Sequence, residues 1–183
     1  GGDGRFPSGG SIDLGAGGTP TRFMVAAAAL ARLPVEIDGS ARMRARPIGE
    51  GVEFVRKLGG RVEYLAVEGR LPVRVEPTDG LEGGELVVGR TASSQFVSAV
   101  MLIAPCTRRG VVIRFAEPPT SETYLDLTLV ALAQVGVRTV VERSESGGLL
   151  RIEIPNQTIG SFDVDIEADA SSAIYPAMLA TGL

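Results

Sequence analysis

Apolar and polar positions along the chain follow two rhythms, one with the spacing of a helix and one with the alternation of a strand. Long apolar segments predict helices over residues 19–32, 47–58, 93–104 and 121–135. Short β-branched or alternating runs predict strands over residues 11–14, 35–37, 61–67, 73–76, 85–88, 110–115, 138–142, 149–154 and 162–166. A last apolar helical pattern follows Ser172.

The order of these elements recurs at a nearly constant interval. Thr21 and Ser94 are 73 residues apart, Gly59 and Gly136 are 77 apart, and Ser94 and Ser172 are 78 apart. A shared order of elements at such a spacing indicates duplicated units. Each unit runs helix, strand, helix, strand, strand, with one more strand closing it. This order predicts an α/β (α+β) fold in which two helices per unit cover a mixed sheet.

The repeats divide the chain into four segments. We predict a glycine-rich leader over residues 1–18, a first repeat over 19–90, a second repeat over 91–166 and a final segment over 167–183. The first helix contains Ala26–Ala29 and has no polar face, which predicts that it is buried among other helices.

Short polar runs open three of the apolar segments, at residues 18–22, 91–95 and 169–172. Ser, Thr and Asp side chains cap helix N-termini by accepting hydrogen bonds from the first turn. The remaining N–H groups and the helix dipole favour an anion at the same place. We therefore predict that several helix starts face one polyanionic ligand, with plain capping as the alternative for each run.

Composition limits the chemistry. The 183 residues carry a formal net charge of −4, no histidine and one cysteine, Cys106. This excludes the usual zinc sites, histidine-activated nucleophiles and an internal disulfide framework, and it favours a reducing, cytoplasmic compartment. The negative charge and the lack of a long apolar run argue against nucleic-acid and membrane partners. The chain has no initial Met and ends within an apolar pattern, so we expect it to be a piece of a longer protein.

Five short motifs lie in order along nearly the whole chain. They are Leu14-Gly15-Ala16-Gly17-Gly18-Thr19-Pro20-Thr21-Arg22, Arg42-Met43-Arg44-Ala45-Arg46-Pro47-Ile48-Gly49, Ser93-Ser94-Gln95-Phe96, Ser121-Glu122-Thr123-Tyr124-Leu125-Asp126 and Asp169-Ala170-Ser171-Ser172. Together they resemble the motifs of the 5-enolpyruvylshikimate-3-phosphate synthase family, whose first motif reads Leu-Gly-Asn-Ala-Gly-Thr-x-x-Arg.

The resemblance implies a transferase of aromatic amino-acid biosynthesis that moves the enolpyruvyl group of phosphoenolpyruvate to the 5-hydroxyl of shikimate 3-phosphate. It implies two domains, each of three βαβαββ units with helices packed together and mixed sheets outside, as half of an inside-out α/β barrel. This chain would hold two of the three units of the N-terminal domain, with residues 167–183 as the crossover and the start of the C-terminal domain, and it would need the rest of that domain in cis. The resemblance also implies a monomer without metal or organic cofactor, and we expect no turnover by this chain alone.

By resemblance, two sets of residues hold the substrates, and none of them is a general acid or base. The set for shikimate 3-phosphate is Ser93, Ser94, Gln95, Ser121 and Tyr124. The set for phosphoenolpyruvate is Gly18, Thr19, Arg46 and Gln95. For Ser121 and Tyr124 the simpler alternative is a helix cap and a core tyrosine.

Arg22 places a positive charge in the first turn of an apolar helix, where the dipole disfavours it. We expect it to form a salt bridge with Asp169 that couples domain closure to this helix. Two positions depart from the family pattern. Ala16 replaces an asparagine and removes a side-chain hydrogen bond, and Phe23 replaces the usual proline after Arg22.

Two other functions stay open at this point. One is the sister UDP-N-acetylglucosamine enolpyruvyl transferase, whose reactive cysteine lies in a mobile loop. Cys106 follows Ala104-Pro105 at a predicted helix end, so it is expected to be structural and does not support that assignment. The other is a non-catalytic repeat module that binds phosphorylated metabolites.

Overall fold

The structure is a computed structural model that describes residues 9–91, 93–166 and 172–181. Most of its helices and strands follow one another in the order that the sequence predicts. The helices are α1 (Gly18–Ala28), α2 (Ala41–Arg44), α3 (Gly49–Lys57), α4 (Ser94–Ile103), α5 (Glu122–Gln134) and α6 (Ile174–Thr181), with a 3₁₀ turn at Ala104–Cys106. The strands are β1 (Gly10–Asp13), β2 (Val35–Asp38), β3 (Arg61–Tyr64), β4 (Val73–Glu76), β5 (Gly84–Val88), β6 (Val111–Phe115), β7 (Val140–Arg143) and β8 (Leu149–Ile154).

The strands form two four-stranded mixed sheets of identical topology, ordered β1-β2-β4-β3 and β5-β6-β8-β7. In each sheet the first strand pairs in parallel with the second, and the other neighbours pair antiparallel. The duplication predicted from the sequence is therefore confirmed as two βαβαββ units. Strand β5 pairs with β6 in the second sheet, whereas the sequence division at residue 90 placed it in the first repeat.

The two units share one interlocked core. Helix α1 contacts α3 and α4, and α4 contacts α5, so the helices lie together and each sheet covers them on one side. Val25, Ala26 and Ala28 of α1 are buried, which confirms that this helix is buried among others. Ala99 and Ile103 of α4 belong to the apolar cluster of the first sheet. In return, Phe54 and Leu58 at the end of α3 belong to the cluster of the second sheet.

The structure differs from the sequence predictions at a few element ends. Helix α3 begins at Gly49 rather than at Pro47, and the extra short helix α2 precedes it. Ser40 caps that short helix by accepting a hydrogen bond from the backbone N–H of Met43. Helix α1 ends at Ala28, and Ala29, Leu30 and Ala31 continue in tighter turns with acceptors three residues back.

The strand predicted over residues 162–166 is absent from the part of the chain that the structure describes. In both units the first strand pairs with the strand that follows the first helix. Residues 162–166 stand before α6 in the same way, and no strand follows α6 among the described residues. The segment therefore has no neighbour to pair with in the part of the chain that the structure describes. Within residues 9–91, 93–166 and 172–181, no helix is long and apolar enough to cross a bilayer.

Candidate functional site

The start of α1 carries free backbone donors rather than a side-chain cap. The residue before it is Gly17, which makes no side-chain cap hydrogen bond, so the capping predicted for this polar run is wrong. As in any first turn, the N–H groups of Gly18 and Thr19 have no acceptor within the helix. The hydroxyl of Thr19 instead accepts a 2.7 Å hydrogen bond from Nε2 of Gln95 in α4.

The start of α4 has the predicted serine cap. The Oγ of Ser93 accepts a hydrogen bond from the backbone N–H of Gln95 at 3.3 Å. Ser94 is buried at the first helical position, while Ser93 and Gln95 are partly exposed. Capping and ligand binding are thus compatible at this helix end, because Ser93 caps the helix while the side-chain amide of Gln95 stays partly exposed.

Arg22 joins the two helix starts. Its Nη1 donates to Oε1 of Gln95 at 2.7 Å and to Oγ of Ser93 at 3.3 Å. Its guanidinium carbon lies 5.0 Å from the centroid of the Phe96 ring. Burial lowers the pKa of the Arg22 guanidinium, the nearby charge of Arg46 lowers it further, and Glu50 opposes both. The predicted partner Asp169 lies outside the described residues, so that salt bridge stays a prediction.

Arg46 brings a second positive charge to the start of α1. A Cβ placed on Gly18 would lie only 2.6 Å from Nη1 of Arg46, so the guanidinium occupies the space that the glycine leaves. Arg46 itself is exposed. Two residues of the predicted phosphoenolpyruvate set, Gly18 and Arg46, are therefore in close contact.

The start of α5 is held in an uncommon backbone conformation. Ser121, the residue before the helix, has φ 54° and ψ 57°, a left-handed region that costs energy for a residue with a side chain. Its side chain makes no cap hydrogen bond. Tyr124 in the first turn is 63% exposed. The simpler interpretation, a capping serine with a core tyrosine, is therefore wrong for both residues.

Hydrogen bonds from hydroxyl groups connect α5 to α4, and the loop before α5 to the loop before α4. Thr120 Oγ1 donates to the backbone carbonyl of Thr91 at 2.8 Å. One turn into the helices, Thr128 Oγ1 lies 2.9 Å from Ser98 Oγ and also contacts the carbonyl of Tyr124. These bonds fix the spacing between the two helices, and with it the width of the surface between them.

The starts of α1, α4 and α5 enclose a groove of about 460 Å³. Its described lining carries hydroxyl, amide and aromatic groups but no full charge. Six of the predicted site residues line it, and Gly18 and Arg46 lie beside it rather than in it. The full lining is Thr19, Phe23, Ser93, Ser94, Gln95, Ser98, Thr120, Ser121, Tyr124, Leu127 and Thr128.

Sequence reasoning missed five residues of this lining, namely Phe23, Ser98, Thr120, Leu127 and Thr128. Helical spacing could have found two of them. Ser98 lies four residues after Ser94, and Thr128 lies four residues after Tyr124, so each shares a helix face with a predicted site residue. Across the described ranges, no three acidic or cysteine side chains come together in a way that could hold a metal ion.

The chain is similar to known proteins over most of its length. It is 37% identical over 169 residues to the pentafunctional AROM polypeptide of Eremothecium gossypii, covering 89% of this chain and 10% of that protein. It is 36% identical over 166 residues to the corresponding polypeptide of Schizosaccharomyces japonicus, covering 87% of this chain and 10% of that one. The chain thus spans about a tenth of the length of the curated relatives it matches.

Solved structures show the same fold. One structure of EPSP synthase from Acinetobacter baumannii superposes with a TM-score of 0.73 at 19% identity, over 90% of this chain and 35% of that one. Another structure of EPSP synthase from the same organism gives 0.67 at 18% identity, over 81% of this chain and 31% of that one. The sequence profile of EPSP synthase (3-phosphoshikimate 1-carboxyvinyltransferase) matches residues 2–182. A profile match over nearly every residue, on a chain with this fold, places the protein in the EPSP synthase family.

Proposed function

We propose that this chain provides the acceptor-binding side of an enolpyruvyl transferase. The reaction would move the enolpyruvyl group of phosphoenolpyruvate to the 5-hydroxyl of shikimate 3-phosphate and release phosphate. The observation that carries the proposal is the groove at the starts of α1, α4 and α5, which is rich in hydroxyl groups and has no charged side chain in its described lining. Family membership supports the same reaction.

The groove suits a phosphorylated polyol. Ser93, Ser94 and Ser121 stand at the starts of α4 and α5, where hydroxyl and backbone N–H groups can donate to phosphate oxygens and the helix dipoles favour negative charge. The exposed ring of Tyr124 offers an apolar face to a carbocycle. We assign the 3-phosphate and ring hydroxyls of shikimate 3-phosphate to this set, together with Gln95.

The second substrate would bind beside the groove, at the start of α1. There the Arg46 guanidinium lies against Gly18, and the first N–H groups of the helix are free of helical acceptors. A guanidinium can bind a phosphate or carboxylate with two parallel hydrogen bonds. We assign phosphoenolpyruvate to Gly18, Thr19, Arg46 and the neighbouring amide of Gln95.

Binding and turnover are separate properties in this proposal. Enolpyruvyl transfer needs a group that takes the proton from the 5-hydroxyl and a group that protonates the methylene carbon of phosphoenolpyruvate. The described lining of the groove contains no carboxylate or lysine that could do either. We therefore expect the 183-residue chain to bind shikimate 3-phosphate but not to turn it over, and we assign acid–base chemistry to a second domain in cis.

A calorimetric titration of the chain tests the acceptor. Shikimate 3-phosphate should bind at a single saturable site, whereas shikimate, inorganic phosphate and UDP-N-acetylglucosamine should bind much more weakly. Tyr124→Ala should weaken binding about fivefold, because a ring contact of this kind is worth roughly 1 kcal/mol. Leu150→Ala is the matched control, since Leu150 is also exposed and lies outside the groove.

Two outcomes would contradict this assignment. Preference for UDP-N-acetylglucosamine would favour the sister transferase, and equal binding of unrelated phosphorylated sugars would favour a general phosphometabolite-binding module. The family assignment also carries the expectations of a cytoplasmic location and a monomer. Cell fractionation and sedimentation velocity test these two expectations.

A further inference from the structure

We infer that Arg22 is a positioning residue that fixes the orientation of the Gln95 side-chain amide at the edge of the groove. The inference rests on the proposed function and deepens it, because it explains why the Gln95 amide presents an N–H donor to the groove rather than its oxygen. It rests on the contacts between α1 and α4, which involve Arg22, Gln95, Thr19, Ser93 and Phe96.

The chemistry of the two partners determines which way the amide faces. A guanidinium only donates hydrogen bonds, so the group 2.7 Å from Arg22 Nη1 must be the amide oxygen of Gln95. The amide nitrogen then faces the other way and donates to Thr19 Oγ1 at 2.7 Å. An NH₂ group has two hydrogens, so one donor of Gln95 stays available to a ligand in the groove. Without Arg22, the amide could rotate and present its oxygen, which repels an anion.

The position of Arg22 has a cost that packing alone does not explain. Its Nε is buried and has no hydrogen-bond partner among the described residues. Arg22 is the fifth residue of α1 and its charge lies close to that of Arg46, and burial and that neighbour both lower its pKa. An unpaired buried donor and a disfavoured charge both destabilise the fold. We attribute this cost to the hydrogen bonds from Nη1 to Gln95 and Ser93, which hold the Gln95 amide in one orientation.

The Phe96 ring packs against the guanidinium of Arg22. The guanidinium carbon lies 5.0 Å from the ring centroid, so the ring supports the plane of the guanidinium while Nη1 faces Gln95. Lysine could keep the charge at this position, but it lacks both the planar group and the fixed donor direction. The arrangement therefore requires arginine rather than any cation.

The test uses the intact 183-residue chain and reads the Gln95 side-chain amide directly. In the ligand-free protein, ¹⁵N NMR should show this NH₂ group as ordered and shifted from free-amide values. Arg22→Ala should make it mobile, and Arg22→Lys should restore the order only in part. Arg56→Ala is the matched control: it also removes an arginine stacked on a ring, that of Tyr64, but should leave the Gln95 signals unchanged.

Binding of shikimate 3-phosphate gives the second readout. Arg22→Ala should weaken binding about tenfold, as expected when the Gln95 amide no longer donates a hydrogen bond to the anionic ligand. Once Gln95→Ala is present, adding Arg22→Ala should cause little further loss. The inference is overturned if the Gln95 amide keeps its order in Arg22→Ala, or if the two losses add fully. A wild-type chain that fails to bind while Arg22→Ala frees the amide would overturn the proposed function and leave the positioning role intact.

Discussion

At the scale of single residues, the absence of a side chain at Gly18 lets the Arg46 guanidinium lie against the start of α1. Because a Cβ at this position would lie 2.6 Å from Arg46 Nη1, Gly18→Ala should push the guanidinium away from the start of α1. We expect phosphoenolpyruvate to bind about tenfold more weakly, as for the loss of one charge-assisted hydrogen bond, with little change in stability. Calorimetric titration with phosphoenolpyruvate and thermal unfolding measure the two effects.

Gly89→Ala is the control for that substitution. Gly89 has open space where a Cβ would stand, so the change should alter neither binding nor stability noticeably. Equal phosphoenolpyruvate affinity in Gly18→Ala and the wild-type chain would show that Arg46 does not need this space.

Asp38 predicts a pH dependence of stability. Hydrogen bonds from the Arg44 guanidinium and from the Gly39 N–H hold the pKa of its carboxyl below the ordinary value of 3.8. Because the folded-state pKa is lowered, the carboxylate stabilises the fold above the unfolded pKa, and this contribution is lost as the pH falls through the folded pKa. Asp38→Asn should therefore be less stable than the wild-type chain at pH 7, with the gap closing as the pH falls through the folded-state pKa, which lies below 3.8.

Urea unfolding at a series of pH values measures that gap. Arg44→Ala should reproduce the profile of Asp38→Asn, because it removes the main cause of the lowered pKa. A stability difference that stays constant from pH 7 to pH 2 would argue against the ion pair as its source.

At the scale of elements, α3 and α4 approach closely because Gly51 has no side chain. A Cβ on Gly51 would lie 2.7 Å from the ring of Phe96, the ring beneath Arg22. Gly51→Ala should destabilise the fold by about 1–3 kcal/mol through overpacking, despite the better helix propensity of alanine. It should also loosen the Gln95 amide, because the ring supports Arg22.

Gly49→Ala in the same helix separates packing from propensity. The nearest atom to a Cβ there is 3.5 Å away, an ordinary contact, so this variant should be as stable as the wild-type chain or slightly more so. Denaturant unfolding of both variants makes the comparison. Equal stability of the two would contradict the close approach of α3 and α4.

Hydrophobic periodicity predicted the order of the elements because each unit repeats the same burial pattern in the same sequence. Short elements escaped it. Helix α2 has a single side-chain cap, from Ser40, and residues 162–166 have no neighbouring strand among the described residues. For the site, polar helix starts pointed to Ser93 and Gln95, but the contact of Gln95 with Thr19 joins residues 76 positions apart. Such a pairing depends on how the helices pack, which periodicity does not encode.

At the scale of the whole molecule, the two units should unfold together. Each apolar cluster includes residues from the other unit. Ala99 and Ile103 of the second unit lie in the cluster of the first sheet, and Phe54 and Leu58 of the first unit lie in the cluster of the second sheet. Val73→Ala in the first sheet should therefore lower the free energy of unfolding by about 2–4 kcal/mol within a single transition rather than reveal a second one. Calorimetry and circular dichroism should give coincident curves. Two separated transitions would contradict an interlocked core.

The groove is a product of the same interlocking. The starts of α1 and α4 come from successive units and meet through Arg22, Gln95 and Thr19, so neither unit contains the site by itself. A ligand that bridges these helix starts should also stabilise the whole fold, because it binds only when both units are in place.

The most direct test is an NMR titration of the ¹⁵N-labelled chain with shikimate 3-phosphate. The proposed function predicts saturable shift changes at Ser93, Gln95, Ser121 and Tyr124, with a common dissociation constant and no change at sites remote from the groove. Shifts confined to other surfaces, such as the apolar hollow of about 290 Å³ between β1 and α1, would contradict it. No shifts at saturating ligand would contradict it equally.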